Sequence, residues 1–213
     1  MNRKLLIIAA AAAVLALGAV AWNTVQTGGL DRMPATTGAP ASTKAYETAM
    51  AAMMRGMMVP LTGKPDLDFM QGMIPHHQGA IDMAGVVLRH GKDTAVRTLA
   101  QNVITAQEGE IAVMKAWLAA TDPATLAVSP PSVKGNEQAM AVMMKDMMTP
   151  WTGDADVDFV RGMIPHHQGA IAMADVALQF AGDKDVRKLA GDVVKAQQAE
   201  VAFMTDWLAK HGK

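Results

Sequence analysis

The stretch GMIPHHQGAI at residues 72–81 decides the fold of this chain, because the same ten letters recur at residues 162–171. In each copy a proline precedes two adjacent histidines, inside a segment whose apolar residues recur at helical spacing. A proline inside a helix removes a backbone hydrogen bond and costs about 3 kcal/mol. Both copies keep this costly proline and place a histidine pair on the apolar face. The arrangement therefore indicates that these residues have the same structural or chemical role in each copy.

The repeat extends well beyond these ten residues, with a constant offset of 90 positions and no gap. The pattern DxDF precedes each histidine pair, at residues 66–69 and 156–159, and the patterns QxxE and WL follow it. Each copy is one supersecondary unit that must bury its apolar face, so the two copies are expected to pair. The predicted organisation is a first repeat at 44–120, an inter-repeat linker at 121–133 and a second repeat at 134–210.

Each repeat predicts a short Met-rich helix followed by two long helices, and no alternating strand pattern competes. The short helices are expected at 46–58 and 136–148. In the first repeat, Asp66 is a plausible N-cap of the second helix, and Gly91 ends it. The sequence therefore predicts an all-α protein. We expect an antiparallel four-helix bundle with pseudo-two-fold symmetry and the two short helices at its ends.

The N-terminus has the features of an export signal. Two basic residues precede an apolar run at residues 5–21, whose small final residues fit cleavage after Ala21. We expect residues 1–21 to be a signal peptide or, if uncleaved, an N-terminal membrane anchor. Residues 22–43 are rich in Gly, Pro, Ser and Thr and predict a disordered linker. The expected location is periplasmic or secreted, with membrane contact only through an uncleaved anchor.

Composition excludes several classes of function. The 213 residues carry a formal net charge of −1, which gives no electrostatic case for binding nucleic acid. The sequence has no cysteine, which excludes disulfides, thiolate nucleophiles and cysteine-based metal sites. It has 19 methionines against four phenylalanines, four tryptophans and one tyrosine, which is an unusual way to fill a core. Methionine is therefore the soft ligand that the sequence offers.

The histidine pairs and the methionines together predict a binding site for a soft metal ion. Thioether sulfur and imidazole nitrogen suit Cu(I), and the similarly soft Ag(I), whereas Mg, Ca and Mn prefer oxygen ligands. Methionine also remains a usable ligand in an oxidising compartment, where free thiols do not persist. The candidate ligands are His76, His77, Met73, Met83, His166, His167, Met163 and Met173 on the long helices, and Met50, Met53, Met54, Met57, Met58, Met140, Met143, Met144, Met147 and Met148 on the short ones.

The third helix of each repeat is expected to support these ligands from behind. Its inward face carries a glutamate and a methionine in each copy, namely Glu110, Met114, Glu200 and Met204. The glutamates are expected to hydrogen-bond the imidazoles and so fix their tautomers, a common arrangement behind metal ligands. Gln107 and Gln197 on the same face are expected to bond across the seam between the helices.

The string DxDFxxGMIPHHQGAIxMA, the later QxxExxxMxxWL and the duplication together resemble an exported bacterial family, the domain of unknown function 305. The resemblance covers nearly everything after the linker, and its HHQGAI core is specific. It implies a ferritin-like fold. Some members are Met- and His-rich periplasmic proteins that bind copper and silver and protect against them, so the resemblance implies this role too. One departure between the copies, Glu108 against Gln198, falls on an outward-facing position.

Three functions fit these features. The expected one is sequestration or transfer of copper without catalysis, with metal ions and other envelope copper-handling proteins as partners. A ferritin-like metal-dependent oxidoreductase is an alternative, although the Glu-x-x-His motif of di-iron sites does not occur in the sequence. A structural envelope module without metal is another, because methionine stripes commonly fill cores and also serve adaptable binding surfaces.

Overall fold

The structure, a computed structural model, describes residues 38–211, and its regular secondary structure over that range is entirely helical. Its helices are α1 (Ala41–Met57), α2 (Pro65–His90), α3 (Thr94–Ala120), α4 (Pro130–Asp146), α5 (Ala155–Phe180) and α6 (Lys184–His211), with a 3-10 turn at Pro123–Thr125. The predicted all-α class is confirmed. None of the described helices is long and apolar enough to span a membrane. The predictions for residues 1–37 lie outside the described residues.

Each repeat forms a hairpin of two long helices, α2 with α3 and α5 with α6, and the hairpins meet where α2 packs on α5. These two central helices run antiparallel, because Gly72 lies beside Met173 and Gly162 lies beside Met83. The short helix of each repeat packs on the long helix that follows it, α1 on α2 and α4 on α5. The central helices are therefore covered on several sides, which explains why they bury polar as well as apolar residues.

The short helices lie along the histidine-bearing segments, so the expectation that they sit at the bundle ends is wrong. A Cβ atom at Gly79 would lie 2.7 Å from the Met53 sulfur, and one at Gly56 would lie 2.7 Å from the Pro75 Cβ. On α5, Gly169 contacts Met143 of α4 in the same way, because a Cβ atom there would lie 2.6 Å from the Met143 sulfur. The reason is steric: glycine leaves a groove on each central helix, and the short helix fills that groove.

Several boundaries differ from the predicted ones. Helix α1 begins at Ala41 and α4 at Pro130, several residues before the predicted starts of the short helices and inside the two predicted linkers. Proline suits the first position of a helix, where its missing N–H leaves no hydrogen bond unmade. For the same reason α2 begins at Pro65, and it continues without interruption through Pro75.

Asp66 does not cap α2 as predicted but binds the other repeat. Its buried carboxylate accepts hydrogen bonds from the backbone N–H groups of Gly182 and Asp183, at 3.1 and 2.9 Å. Asp156 makes the equivalent pair of bonds to the corresponding loop of the first repeat. Asp66 thus holds the loop between α5 and α6, and Asp156 holds the loop between α2 and α3. These two sets of bonds join the hairpins at both ends of the α2–α5 contact.

Replacing Asp66 by Ala should lower the free energy of unfolding by about 2–4 kcal/mol, because two N–H groups lose their charged acceptor. Urea unfolding followed by circular dichroism measures this change. The control is Asp82→Ala, which removes a surface carboxylate hydrogen-bonded to Gln78 and should cost less than about 0.5 kcal/mol. Equal losses in the two variants would contradict the clamp.

Candidate metal site

Four histidines meet where α2 packs on α5. The side chains of His76, His77, His166 and His167 are all 0% exposed. The ring centroids of His76 and His166 are 3.9 Å apart, with the ring planes tilted by 52°. His77 and His167 lie further out, with ring centroids 6.3 and 5.9 Å from those of their neighbours in sequence. The fold thus joins two histidine pairs that the sequence separates by 90 residues.

Each outer histidine is hydrogen-bonded to a glutamate of its own repeat. His77 Nε2 lies 2.6 Å from a carboxylate oxygen of Glu110, and His167 Nε2 lies 2.6 Å from one of Glu200. A carboxylate only accepts, so Nε2 carries the hydrogen and Nδ1 of the neutral ring keeps its lone pair. The predicted hydrogen bonds between the imidazoles and the glutamates are present, with each Nε2–H donating to a carboxylate. Since the glutamate side chains are 21% and 22% exposed, they link the buried rings to the surface.

The inner histidines have few hydrogen-bond partners. His166 Nε2 lies 3.1 Å from the backbone carbonyl oxygen of His76, so Nε2 donates and Nδ1 keeps its lone pair. Both ring nitrogens of His76, and the Nδ1 atoms of the other three histidines, are buried without a partner. Leaving a buried polar atom unpaired costs about 1–3 kcal/mol. Several unpaired lone pairs in one interior region therefore favour a bound cation over simple packing.

The inner rings are neutral at neutral pH. Burial lowers the pKa of His76 well below the usual value of 6.5, and the charges of His166 and His77 lower it further. Burial likewise lowers the pKa of His166, with contributions from His167 and His77. A buried imidazole surrounded by other imidazoles resists protonation because desolvation and like charges both disfavour the cation. Its nitrogens are therefore available as ligands without the prior loss of a proton.

Methionines are buried on the same long helices. The long helices bury Met73, Met83, Met114, Met163, Met173 and Met204. The methyl carbon of Met83 lies against Gly162, and that of Met173 lies against Gly72, so each repeat inserts a thioether side chain into the other. The sequence did not indicate this exchange, although glycine at the same position of both copies was the available signal.

The methionines of the two Met-rich segments, which include Met58, Met147 and Met148 just beyond the helix ends, divide by exposure. Those buried are Met50, Met53, Met57, Met143 and Met147. Those half-buried are Met54, Met140 and Met144, and those exposed are Met58 and Met148. Core packing accounts for the first group, but it gives no reason for methionine at the exposed positions. The predicted ligands thus form two groups, one inside the α2–α5 contact and one along the short helices.

Gln107 and Gln197 differ from their prediction. Both are buried, yet the Gln107 side-chain oxygen and both side-chain amide atoms of Gln197 have no hydrogen-bond partner. The expected bonds across the seam are therefore missing for Gln197 and for the Gln107 oxygen. Across residues 38–211, no group of three or more His, Asp or Glu side chains is placed to hold a metal ion.

The chain belongs to the DUF305 family, a domain of unknown function whose family model matches residues 66–208. It is similar to the structure of CopM in the Cu(I)-bound form, with 32% identity, a TM-score of 0.51, and coverage of 68% of this chain and 96% of CopM. CopM in an Ag-bound form is similar to the same degree, with 32% identity and a TM-score of 0.52. A DUF305 protein of Streptomyces coelicolor, described as a candidate secreted protein, has 28% identity and a TM-score of 0.55 over 71% of this chain and 95% of its own.

One curated relative matches a shorter segment. The uncharacterized protein L153 of Acanthamoeba polyphaga mimivirus is 38% identical over 53 residues, or 25% of this chain. The match spans 35% of the length of that relative. The family assignment therefore rests on the family model and the solved structures, and it confirms the resemblance seen in the sequence.

The lowered histidine pKa values predict how the stability of the metal-free protein depends on pH. Below about pH 6.5 the unfolded chain binds protons at His76 and His166 while the folded chain does not, so the free energy of unfolding should fall on acidification. Each histidine contributes a slope of at most about 1.4 kcal/mol per pH unit. Urea unfolding between about pH 7.5 and pH 5.5 should show this slope, reduced in a His76→Gln/His166→Gln variant. An identical slope in both proteins would contradict neutral inner rings.

Proposed function

We propose that this chain is an exported protein that binds Cu(I), with Ag(I) as a substitute, for metal sequestration, transfer or resistance. The observation that carries the proposal is the buried histidine cluster, in which His76 and His166 are in contact and most ring nitrogens lack partners. Buried polar groups in native proteins are nearly always hydrogen-bonded. Packing alone therefore gives no reason to retain four imidazoles at this place, whereas metal ligation does.

The chemistry of the available donors supports a soft metal. The glutamates that reach this cluster, Glu110 and Glu200, are engaged with imidazoles, so the remaining donors are nitrogen lone pairs and thioethers. Imidazole and thioether ligands favour Cu(I) over oxygen-seeking cations. The similarity to CopM, whose structures include Cu(I)-bound, Cu(II)-bound and Ag-bound forms, supports the same choice.

The proposed ligands have distinct roles. The inner rings of His76 and His166 would bind the metal within the α2–α5 contact, together with neighbouring thioethers. The outer rings offer their Nδ1 atoms, while the glutamate on Nε2 holds each ring in orientation and raises its basicity, as carboxylates commonly do behind metal-bound histidine. The methionines of the short helices form the second group of ligands. Thioethers do not titrate, so this second group should bind at lower pH than the histidines.

Export and a binding role complete the proposal. The signal-like pattern at residues 1–21 supports export, and so does the description of the Streptomyces coelicolor relative as a candidate secreted protein. We infer binding and not catalysis because both glutamates beside the cluster are committed to imidazoles and not to a substrate. Metal ions, and other copper-handling proteins of the envelope, are the proposed partners.

Metal selectivity tests the choice of ligands. The protein should bind Cu(I) and Ag(I), and it should bind Zn(II) at least about 100-fold more weakly, a difference of about 2.7 kcal/mol. Competition against a coloured Cu(I) chelator, and against a zinc indicator, measures the two affinities. Zinc binding as tight as copper binding would remove the argument from ligand softness. Iron recovered with the purified protein would instead favour the ferritin-like oxidoreductase.

Substitution of the inner histidines tests the cluster directly. His76→Gln/His166→Gln should remove one class of Cu(I) site at neutral pH and leave the methionine class, which should persist in mildly acidic buffer. The control is His90→Gln/His211→Gln, which changes two exposed histidines at helix ends and should bind as the unchanged protein does. If the inner variant keeps the full stoichiometry and affinity, the histidines are packing residues and only the methionines remain as ligands.

A further inference from the structure

The two short helices have nearly the same methionine pattern but are held differently. In α1, Tyr46 is fully buried, and its hydroxyl donates a 2.9 Å hydrogen bond to the backbone carbonyl of Ala155 in the other repeat. Its ring stacks on Trp151, with ring centroids 5.5 Å apart and planes 12° apart. Tyr46 and Ala49 also belong to a core cluster that contains Phe159 of α5. Helix α1 is thus anchored to both repeats.

The second repeat lacks the residues for this anchor. The position equivalent to Tyr46 is Asn136, and the position equivalent to Trp151 is Leu61. An asparagine side chain is too short to span the same distance, and neither residue has an aromatic ring to stack. Helix α4 is tied to the first repeat at its start, where the Ser129 N–H donates to the Gly63 carbonyl at 2.7 Å. The anchor of α4 therefore precedes the helix and leaves its C-terminal half held by α5.

Exposure follows the anchoring. Met50 of α1 is 5% exposed and buried, whereas its equivalent Met140 on α4 is half-buried. Met58 is 38% exposed, whereas its equivalent Met148 is 62% exposed. The thioethers of the second repeat are therefore the more accessible ones at both ends of the methionine pattern, although the methionine positions themselves are the same in both copies.

From this difference we propose that the two short helices have separate roles and that α4 carries the exchangeable metal site. Met140 and Met144 lie one turn apart on the same side of α4, and Met148 follows the end of the helix at Asp146. We propose that these three thioethers bind one soft monovalent cation. We call these three residues the exchange set. The equivalent methionines of the first repeat are Met50 and Met54 on α1 and Met58 just after its end, on the segment that Tyr46 anchors. This inference rests on the proposed function, because it concerns how the bound metal is taken up and released.

Metal needs a route from the surface to the buried histidines. The four histidines are fully buried, so metal reaches them only when a covering element moves. Segments with few tertiary anchors open at lower free energy than the core does. Of the two short helices that lie along the histidine-bearing segments, α4 has the weaker attachment. Metal bound by the exchange set therefore lies on α4, the helix whose movement would expose the four histidines.

The test compares matched triple variants of the full chain. Met→Leu substitution removes the sulfur with little change in volume and usually costs less than about 1.5 kcal/mol per site. The variant of the exchange set, Met140→Leu/Met144→Leu/Met148→Leu, should slow the transfer of Cu(I) to and from a coloured chelator about tenfold. The matched variant of the first repeat, Met50→Leu/Met54→Leu/Met58→Leu, also removes proposed ligands, but because they lie on the anchored segment it should slow transfer less than the variant of the exchange set does.

The outcomes separate this inference from the proposed function. Equal rates in the two triple variants, with Cu(I) still bound, would overturn the division of roles and leave the proposed function intact. No Cu(I) binding by the unchanged protein would overturn both.

The anchor has its own test, which needs no metal. In the metal-free protein, backbone amides of α4 should exchange with solvent faster than the equivalent amides of α1. Tyr46→Asn, which places the second-repeat residue in the first repeat, should raise the exchange of α1 to the level of α4. If that variant does not fold, Tyr46→Phe, which removes only the hydroxyl bond to Ala155, should raise it by a smaller amount. Equal exchange of α1 and α4 in the unchanged protein would overturn the proposal.

Discussion

The contact between His76 and His166 is the constraint on which the rest of the structure depends. Rings with centroids 3.9 Å apart require α2 and α5 to approach closely, and a close approach requires glycine where the opposite repeat inserts a methionine. Because the surroundings keep both imidazoles neutral, no charge repulsion opposes this approach. The antiparallel crossing, the cross-repeat clamps of Asp66 and Asp156 and the covering short helices all follow from bringing these two rings together.

Burying polar atoms without hydrogen-bond partners destabilises the folded state, and only some of the buried polar atoms here have partners. The glutamates satisfy one nitrogen of each outer ring, and a backbone carbonyl satisfies one nitrogen of His166. The remaining nitrogens, with the side-chain oxygen of Gln107 and both side-chain amide atoms of Gln197, stay unpaired. A ligand that binds only the folded state adds stability by mass action. Under the proposed function, the unpaired lone pairs are the place where metal binding and folding stability are coupled.

The duplication produces a symmetric centre with an asymmetric periphery. The histidine–glutamate pairs have the same 2.6 Å separation in both repeats, and the glycine–methionine contacts are reciprocal. The short helices, by contrast, differ in several residues, among them the buried position occupied by Tyr46 in one copy and Asn136 in the other. The histidines and glycines of the α2–α5 contact are the same in both copies, whereas the short helices, which lie outside that contact, carry different residues at the equivalent positions of Tyr46 and Asn136. Such divergence is how two equal sites can acquire unequal roles.

The sequence by itself determined the helical class, the duplication, the candidate ligands and the glutamate–histidine pairing, because helical periodicity and a repeat with constant offset are local signals. Only the tertiary structure decided that His76 meets His166, that Asp66 binds the opposite repeat instead of capping α2, and that the short helices lie along the central helices. It also decided which methionines are buried. These features depend on which face of one helix meets which face of another. Helix pairing is a non-local choice made by glycine grooves and buried contacts, and a pattern of 3.6 residues per turn carries no information about it.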